Sequence, residues 1–149
     1  MVRKLLIGAA SAAALVLSTA AFAQQFGTAA EAKALLEKAI AAVKADKAKA
    51  LEAFNKADGG FKDKDLYVFC FNSPDGKINA GPVPAGTDVR TLKDKAGKAF
   101  GQEMFDNVKE GTIGEVSYMF PRPGGPDPVA KISYISKAGD TACGVGYYK

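Results

Sequence analysis

Apolar residues recur at three- and four-residue steps along the segment that follows residue 27. They are Ala32, Leu36, Ala39, Ile40, Val43, Ala50, Leu51 and Phe54. This spacing places them on one face of a helix. Thr28 and Glu31 have the spacing of a capping box, and Asp58-Gly59-Gly60 is typical of a helix end. We therefore predict a long amphipathic helix from Thr28 to Ala57, either kinked or split in two where Lys44 to Lys47 interrupt the apolar stripe.

The second half of the chain shows strand patterns separated by turn signals. Leu66 to Phe71 is a continuous apolar run rich in aromatic residues, which is typical of a strand covered on both faces. Four further strand candidates are Lys77–Ala80, Gly114–Phe120, Ala130–Ser136 and Thr141–Tyr148. A short helix fits between Gly97 and Gly111. The pattern predicts an α+β fold, a five-strand antiparallel sheet with a long N-terminal helix on one face and a loop-helix layer on the other.

The first 23 residues have the pattern of a secretory signal. Arg3 and Lys4 supply the positive start, Leu5 to Leu17 is apolar, and Ala21-Phe22-Ala23 is a small-x-small cleavage site. The apolar run is shorter than the roughly 20 residues that a membrane-spanning helix needs. We therefore expect cleavage after Ala23, export to the periplasm, and a single domain over residues 24–149.

Composition narrows the chemistry that the chain can perform. Its 149 residues include 2 Cys and no His, so the usual general base and the commonest metal ligand are missing. Loss of Arg3 and Lys4 would lower the formal charge from +4 to about +2, and the remaining lysines alternate with acidic residues rather than forming a basic patch. We expect no enzymatic activity, no cofactor, no metal and no nucleic-acid partner.

Five segments together resemble a known family. They are the hairpin Leu66–Ala80 with Asp75-Gly76, Leu92-Lys93-Asp94 before Gly97-Lys98-Ala99-Phe100, Tyr118-Met119-Phe120-Pro121-Arg122-Pro123, Lys131-Ile132-Ser133-Tyr134, and Gly144-Val145-Gly146-Tyr147-Tyr148. In this order and spacing, nearly the whole mature chain resembles a single Cache domain. The resemblance implies a PAS-like sheet that bacteria use outside the cytoplasmic membrane to bind small molecules, often short organic acids. Because the last predicted strand reaches Lys149, we expect a stand-alone periplasmic form, with a separate membrane receptor as a candidate partner.

The resemblance places a ligand pocket between the sheet and the layer from Gly81 to Val108. The candidate cations for a ligand carboxylate are Lys131 and Arg122. The candidate hydrogen-bonding side chains of the pocket wall are Tyr118, Tyr67 and Tyr134, and the candidate apolar contact is Phe120. The alternative is that the aromatic residues are ordinary core and the cations face solvent.

The Cache-like strand order also places the first and last central strands side by side. Cys70 and Cys143 lie in these strands, so we expect a disulfide between them in the oxidising periplasm. The alternative is a pair of buried free thiols.

The predicted function is a periplasmic small-molecule binding or sensory protein of the Cache type, for a small organic acid anion. Two alternatives differ in class. A structural or protein-interaction module would use the long helix to pair with another protein or with a second copy as a homodimer, and would bind no ligand. An enzyme would require convergent carboxylates with perturbed pKa values.

Overall fold

The computed structural model describes residues 25–149. The predicted signal segment and the cleavage after Ala23 lie outside these residues. Within the described part of the chain, each helix is either too short or too polar to cross a bilayer.

The predicted N-terminal helix is two helices, α1 (Ala29–Ala45) and α2 (Lys47–Lys56). The capping box is present, because Thr28 accepts from the Glu31 amide and the Glu31 carboxylate accepts from the Thr28 amide. Asp46 separates the two helices, and its carboxylate accepts a hydrogen bond of 3.1 Å from the Lys49 amide. Aspartate is a strong N-cap and a poor helix-interior residue, so α1 ends and α2 starts here.

The sheet has six strands, one more than predicted. They are β1 (Lys62–Asp63), β2 (Leu66–Asn72), β3 (Ile78–Ala80), β4 (Gly114–Pro121), β5 (Pro128–Ala138) and β6 (Thr141–Tyr148). The order across the sheet is β1-β2-β6-β5-β4, with β3 paired to β2, and all pairs are antiparallel. The extra strand is the two-residue β1, which is too short and too polar to show an alternating pattern. The α+β fold is otherwise confirmed.

Strand alternation gives the sheet two different faces. The first, which we call the helix face, is covered by α1 and α2. Its buried residues include Leu36, Val43, Phe54, Val68, Cys70, Cys143 and Val145. The second, which we call the pocket face, is covered by residues 81–108, including a 3₁₀ turn (Val89–Thr91) and α3 (Phe100–Asn107). Its buried residues include Phe71, Val89, Phe100, Met104, Val116, Tyr118 and Ile135.

A disulfide joins two neighbouring strands on the helix face. Cys70 of β2 lies directly opposite Cys143 of β6, and the two residues are bonded across 73 positions of sequence. The predicted pairing is therefore confirmed.

Candidate functional site

Lys131 is a buried cation on the pocket face. Its exposed fraction is 1%, and its ammonium donates a 2.7 Å hydrogen bond to the Tyr67 hydroxyl. Within residues 25–149, the ammonium makes no ion pair and no second hydrogen bond. An ammonium carries three N–H donors. Two of them therefore lack an acceptor from the described part of the chain.

Aromatic rings surround this ammonium. The Lys131 Nζ atom lies 4.3 Å from the ring centroid of Tyr67, 4.9 Å from that of Tyr148, 5.1 Å from that of Phe120 and 6.0 Å from that of Tyr118. Rings at these distances attract a cation through their negative faces. Burial still lowers the pKa of Lys131 to about 7, an effect that the negative charge of Asp65 partly opposes.

The tyrosine hydroxyls near Lys131 are neutral polar groups. Burial raises the pKa of both Tyr67 and Tyr118 and raises that of Tyr148 to about 12. The Tyr118 hydroxyl is hydrogen-bonded to Ser133 Oγ at 2.9 Å, and the Tyr148 hydroxyl donates to the Pro121 carbonyl at 2.7 Å. At neutral pH these hydroxyls are uncharged, so Lys131 is the group among them that can carry a charge.

Two glycines of β6 make room for the side chains of this site. A Cβ atom on Gly146 would lie 2.2 Å from Lys131 Cε and 2.4 Å from Ser133 Oγ, and one on Gly144 would lie 2.2 Å from the tip of the Phe69 ring. Real Cβ atoms do not approach other atoms so closely. The lysine can therefore lie flat across β6 only because position 146 has no side chain.

A small cavity and a larger open cleft adjoin the aromatic rings around Lys131, and Lys131 itself lines neither of them. The cavity, between the pocket face and its covering layer, has a volume of about 30 Å³, room for about one or two water molecules. It is lined almost entirely by apolar atoms, among them Phe69, Phe71, Ile78, Val89, Leu92 and Met104. The cleft has a volume of about 380 Å³ and runs between the end of α2, the Gly81-Pro82 loop and the Pro121–Pro123 turn. Tyr67, Pro82 and Phe120 line both spaces and separate them.

The structure brings together four of the six predicted ligand contacts, namely Lys131, Tyr67, Tyr118 and Phe120. Arg122 lies at the rim, where it lines the cleft. Tyr134 is separate from this group, because alternation along β5 turns it to the helix face, where it stacks on Tyr147 with centroids 5.8 Å apart. We therefore leave Tyr134 out of the candidate site.

Sequence reasoning missed three residues of the site, Tyr148, Gly146 and Asp65. Gly146 and Tyr148 are two residues apart on β6, so they point to the same face of the sheet. A glycine inside a predicted strand often marks a place where another group approaches closely, and this was a usable signal. Asp65 lies between β1 and β2 and is 7% exposed. Only tertiary packing buries it, so no local pattern marked it.

The sequence was compared with protein-family models and with curated proteins. The family model described as Cache domain matches residues 16–148. Among curated proteins, the methyl-accepting chemotaxis protein McpP of Pseudomonas putida is 38% identical over 56 residues, which are 38% of this chain and 10% of that protein. The match thus spans about a tenth of the length of this relative.

Two solved structures share the fold. One is a Cache chemosensory domain described for its recognition of carboxylic acid, with a TM-score of 0.61 and 21% identity over 80% of this chain and 91% of that one. The other is the periplasmic sensor domain of a chemotaxis protein, with a TM-score of 0.55 and 24% identity over 78% of this chain and 86% of that one. At these identities the likeness is one of fold, and function has to be argued from the site.

Proposed function

The chain belongs to the Cache domain family, a family of sensory ligand-binding domains, and from this premise we propose that it binds a small organic acid anion through Lys131. One observation carries the proposal. The Lys131 ammonium is buried with two N–H donors that no described residue accepts. Burial of an unpaired charge is costly unless an opposite charge is supplied, and a ligand carboxylate would supply both the charge and the acceptors.

The chemistry around Lys131 defines the class of anion. Three of the rings around Lys131, those of Tyr67, Tyr118 and Phe120, line the cavity, and the rest of its lining is apolar. A second carboxylate or a polar tail would lose its hydration there without gaining partners. We therefore infer a ligand with one carboxylate and a short apolar tail. The solved Cache chemosensory domain described for carboxylic acid recognition is consistent with this class.

Ligand binding in this proposal requires the cavity to widen. Its volume of about 30 Å³ is too small for a carboxylate with its tail. The walls shared with the cleft, Tyr67, Pro82 and Phe120, are the natural ones to move because solvent lies on their other side. Outward displacement of the Gly81–Gly86 loop would join the cavity to the cleft.

The sensory role follows from family membership, since Cache domains are periplasmic sensor domains. We propose that this chain is exported after cleavage at Ala23 and presents its bound anion to a membrane receptor. The partial match to a methyl-accepting chemotaxis protein supports a partner of that kind.

The alternative of an interaction module without a ligand is favoured by one observation, the small cavity. This alternative depends on an exposed apolar stripe along α1, and the structure of α1 contradicts that requirement. Leu36 and Val43 of the apolar stripe are buried against the sheet rather than left exposed for a partner. A homodimer through α1 would have to use its outward side, which carries charged residues such as Lys33 and Glu37.

A thermal-shift screen tests the proposal. Acetate, propionate and butyrate are compared with succinate, citrate, amino acids and amines at pH 6. A ligand at a hundred times its dissociation constant stabilises the folded protein by about 2.7 kcal/mol, and we expect this response only from monocarboxylates. Lys131→Met, which keeps an unbranched side chain, should weaken binding of the best ligand by about 2 to 5 kcal/mol. The exposed Lys33→Met is the matched control and should bind as the wild type does. Full-strength binding by Lys131→Met would refute the site.

A further inference from the structure

Asp65 is a buried carboxylate with incomplete hydrogen bonding. Its exposed fraction is 7%. Its Oδ1 atom accepts a 2.7 Å hydrogen bond from the amide of Gly27, which lies just before α1. Its Oδ2 atom is buried and has no hydrogen-bond partner in the described part of the chain. Carboxylates buried in this way normally fill their acceptor sites, so the vacant oxygen calls for an explanation.

Arg122 is the cation beside that oxygen. The Arg122 Nε atom is 3.5 Å from Asp65 Oδ2, which is close enough for charge attraction but beyond a good hydrogen bond. The Nε atom is itself buried without a hydrogen-bond partner among the described residues. The guanidinium group lies 4.3 Å from the Phe26 ring centroid and 5.1 Å from that of Tyr148. Arg122 is therefore held by charge and by ring faces rather than by directional bonds.

Tyr148 connects this pair to the anion site. Its ring lies 4.9 Å from the Lys131 ammonium and 5.1 Å from the Arg122 guanidinium, so both cations contact the same side chain. The negative charge of Asp65 is felt at Lys131 as well. The two cations therefore lie within about 10 Å of each other, and Arg122, whose present partner binds it poorly, would have to move to reach a carboxylate bound at Lys131.

We propose that Asp65 is a positioning residue of the anion site. Asp65 holds Arg122 at the rim until a bound carboxylate attracts Arg122 away. This displacement couples ligand binding to the start of α1. This inference rests on the proposed function. A carboxylate can accept two parallel N–H bonds from a guanidinium, a geometry that Asp65 does not offer at 3.5 Å. When Arg122 moves toward the ligand, Phe26 loses the cation that lies over its ring. The Phe26-Gly27 segment then keeps only the hydrogen bond from the Gly27 amide to Asp65 among these contacts.

The affinity test is a double-mutant cycle at pH 6, where Lys131 is largely protonated. Acetate and propionate are titrated into the purified protein by calorimetry. Asp65→Asn keeps an acceptor for the Gly27 amide but releases Arg122, so binding should tighten about threefold to tenfold. Arg122→Gln should weaken binding about tenfold. In the Arg122→Gln background, Asp65→Asn should change affinity much less, because only the direct effect of the Asp65 charge at Lys131 remains. A merely structural Asp65 would give the same effect in both backgrounds.

The coupling to α1 is read by fluorescence. The chain contains no tryptophan, so Phe26→Trp places a single reporter against Arg122. Its emission should change during the titration, with the same midpoint as the heat of binding. Ala34→Trp, exposed in the middle of α1, is the control reporter and should stay silent. In the wild-type protein, without any substitution in this cluster, hydrogen exchange at the Gly27 amide should become at least threefold faster with ligand.

The outcomes separate the two proposals. Binding heat without an emission change in the Phe26→Trp variant, together with unchanged Gly27 exchange in the wild type, would overturn the coupling and leave the proposed function standing. An equal effect of Asp65→Asn in both backgrounds would overturn the positioning role. Absence of binding heat in the wild-type protein with every monocarboxylate would overturn the proposed function, and this inference with it.

Discussion

The two faces of the sheet are built from the same strands and differ in what they leave unsatisfied. On the helix face, aliphatic side chains and the disulfide pack against α1 and α2. On the pocket face, β5 presents Lys131 and Ser133 among aromatic rings, and β6 contributes Gly144 and Gly146. Strand alternation allows one segment to serve both.

The difference shows how stability and recognition can be separated within one small domain. The helix face completes its contacts internally, so a substitution there should lower stability and leave ligand affinity unchanged. The pocket face keeps a buried ammonium with N–H groups that no described residue accepts. A substitution there should change affinity first.

Removal of the disulfide is the strongest test of the helix face. Cys70→Ala with Cys143→Ala opens a loop that spans 73 positions, and the chain-entropy argument gives a loss of about 4 kcal/mol in the free energy of unfolding. Urea unfolding measures it, while the affinity of the folded protein for monocarboxylates should stay the same. Non-reducing mass spectrometry of the wild type is the check on the premise, which two free thiols would contradict.

Leu36→Ala should have the next largest effect. Leu36 lies on the side of α1 that packs against the sheet and is fully buried. Its truncation should lower the free energy of unfolding by about 3 kcal/mol. Lys33→Ala on the exposed side of the same helix is the control and should stay within about 0.5 kcal/mol. Equal effects from the two substitutions would show that α1 is not held to the sheet by this stripe.

The pH dependence of binding tests the pocket face. The pKa of Lys131 is about 7 before an anion binds, and the anion requires the ammonium form. Affinity should therefore be constant below pH 7 and fall about tenfold, or 1.4 kcal/mol, for each pH unit above it. Isothermal titration of propionate between pH 5.5 and 8.5 measures this, and a flat profile would exclude Lys131 as the anchor.

The lowered pKa of Lys131 also predicts how the free energy of unfolding should change with pH. In the unfolded chain a lysine has a pKa of about 10.4, so between pH 7 and that value the unfolded state binds more protons than the folded state. The contribution of Lys131 to stability should therefore rise with pH in this window and be lowest below pH 7. Lys131→Met should lack this rise and should be at least as stable as the wild type at pH 6.

Tyr118→Phe is the smallest of these effects. It removes the partner of the buried Ser133 hydroxyl, which should cost about 1 kcal/mol of stability. Tyr118→Phe with Ser133→Ala should recover most of that loss, because no polar group is then left alone. If the Tyr118 hydroxyl also contacts the anion, affinity should fall several-fold in both variants. Full affinity in the double variant would show that the Tyr118 ring lines the site but that its hydroxyl makes no hydrogen bond to the anion.

Much of the fold could be predicted because it is written in local patterns. The apolar run at Leu66–Phe71 and the alternation in the last three strands identify the central sheet, and the interrupted stripe at Lys44 to Lys47 marks the break at Asp46. The two-residue β1 could not be predicted, because Lys62 and Asp63 are both exposed and form too short a segment to show alternation.

The site was harder, for a physical reason. Period-two alternation shows that Lys131 and Tyr134 lie on opposite sides of β5, but it does not show which side holds the pocket. The burial of Asp65 and the position of Arg122 depend on residues far apart in sequence, such as Gly27 and Phe26. Such contacts appear only when the chain is folded.

The disulfide also gives the folded chain a chemical memory. Both cysteines are completely buried, and thiol exchange requires a reductant to reach a sulfur atom. While the domain stays folded, the bond should survive transfer into a reducing solution, and it should be lost only as fast as the chain unfolds. The oxidation state of a recovered molecule would then record the compartment in which it folded, rather than the one from which it was isolated.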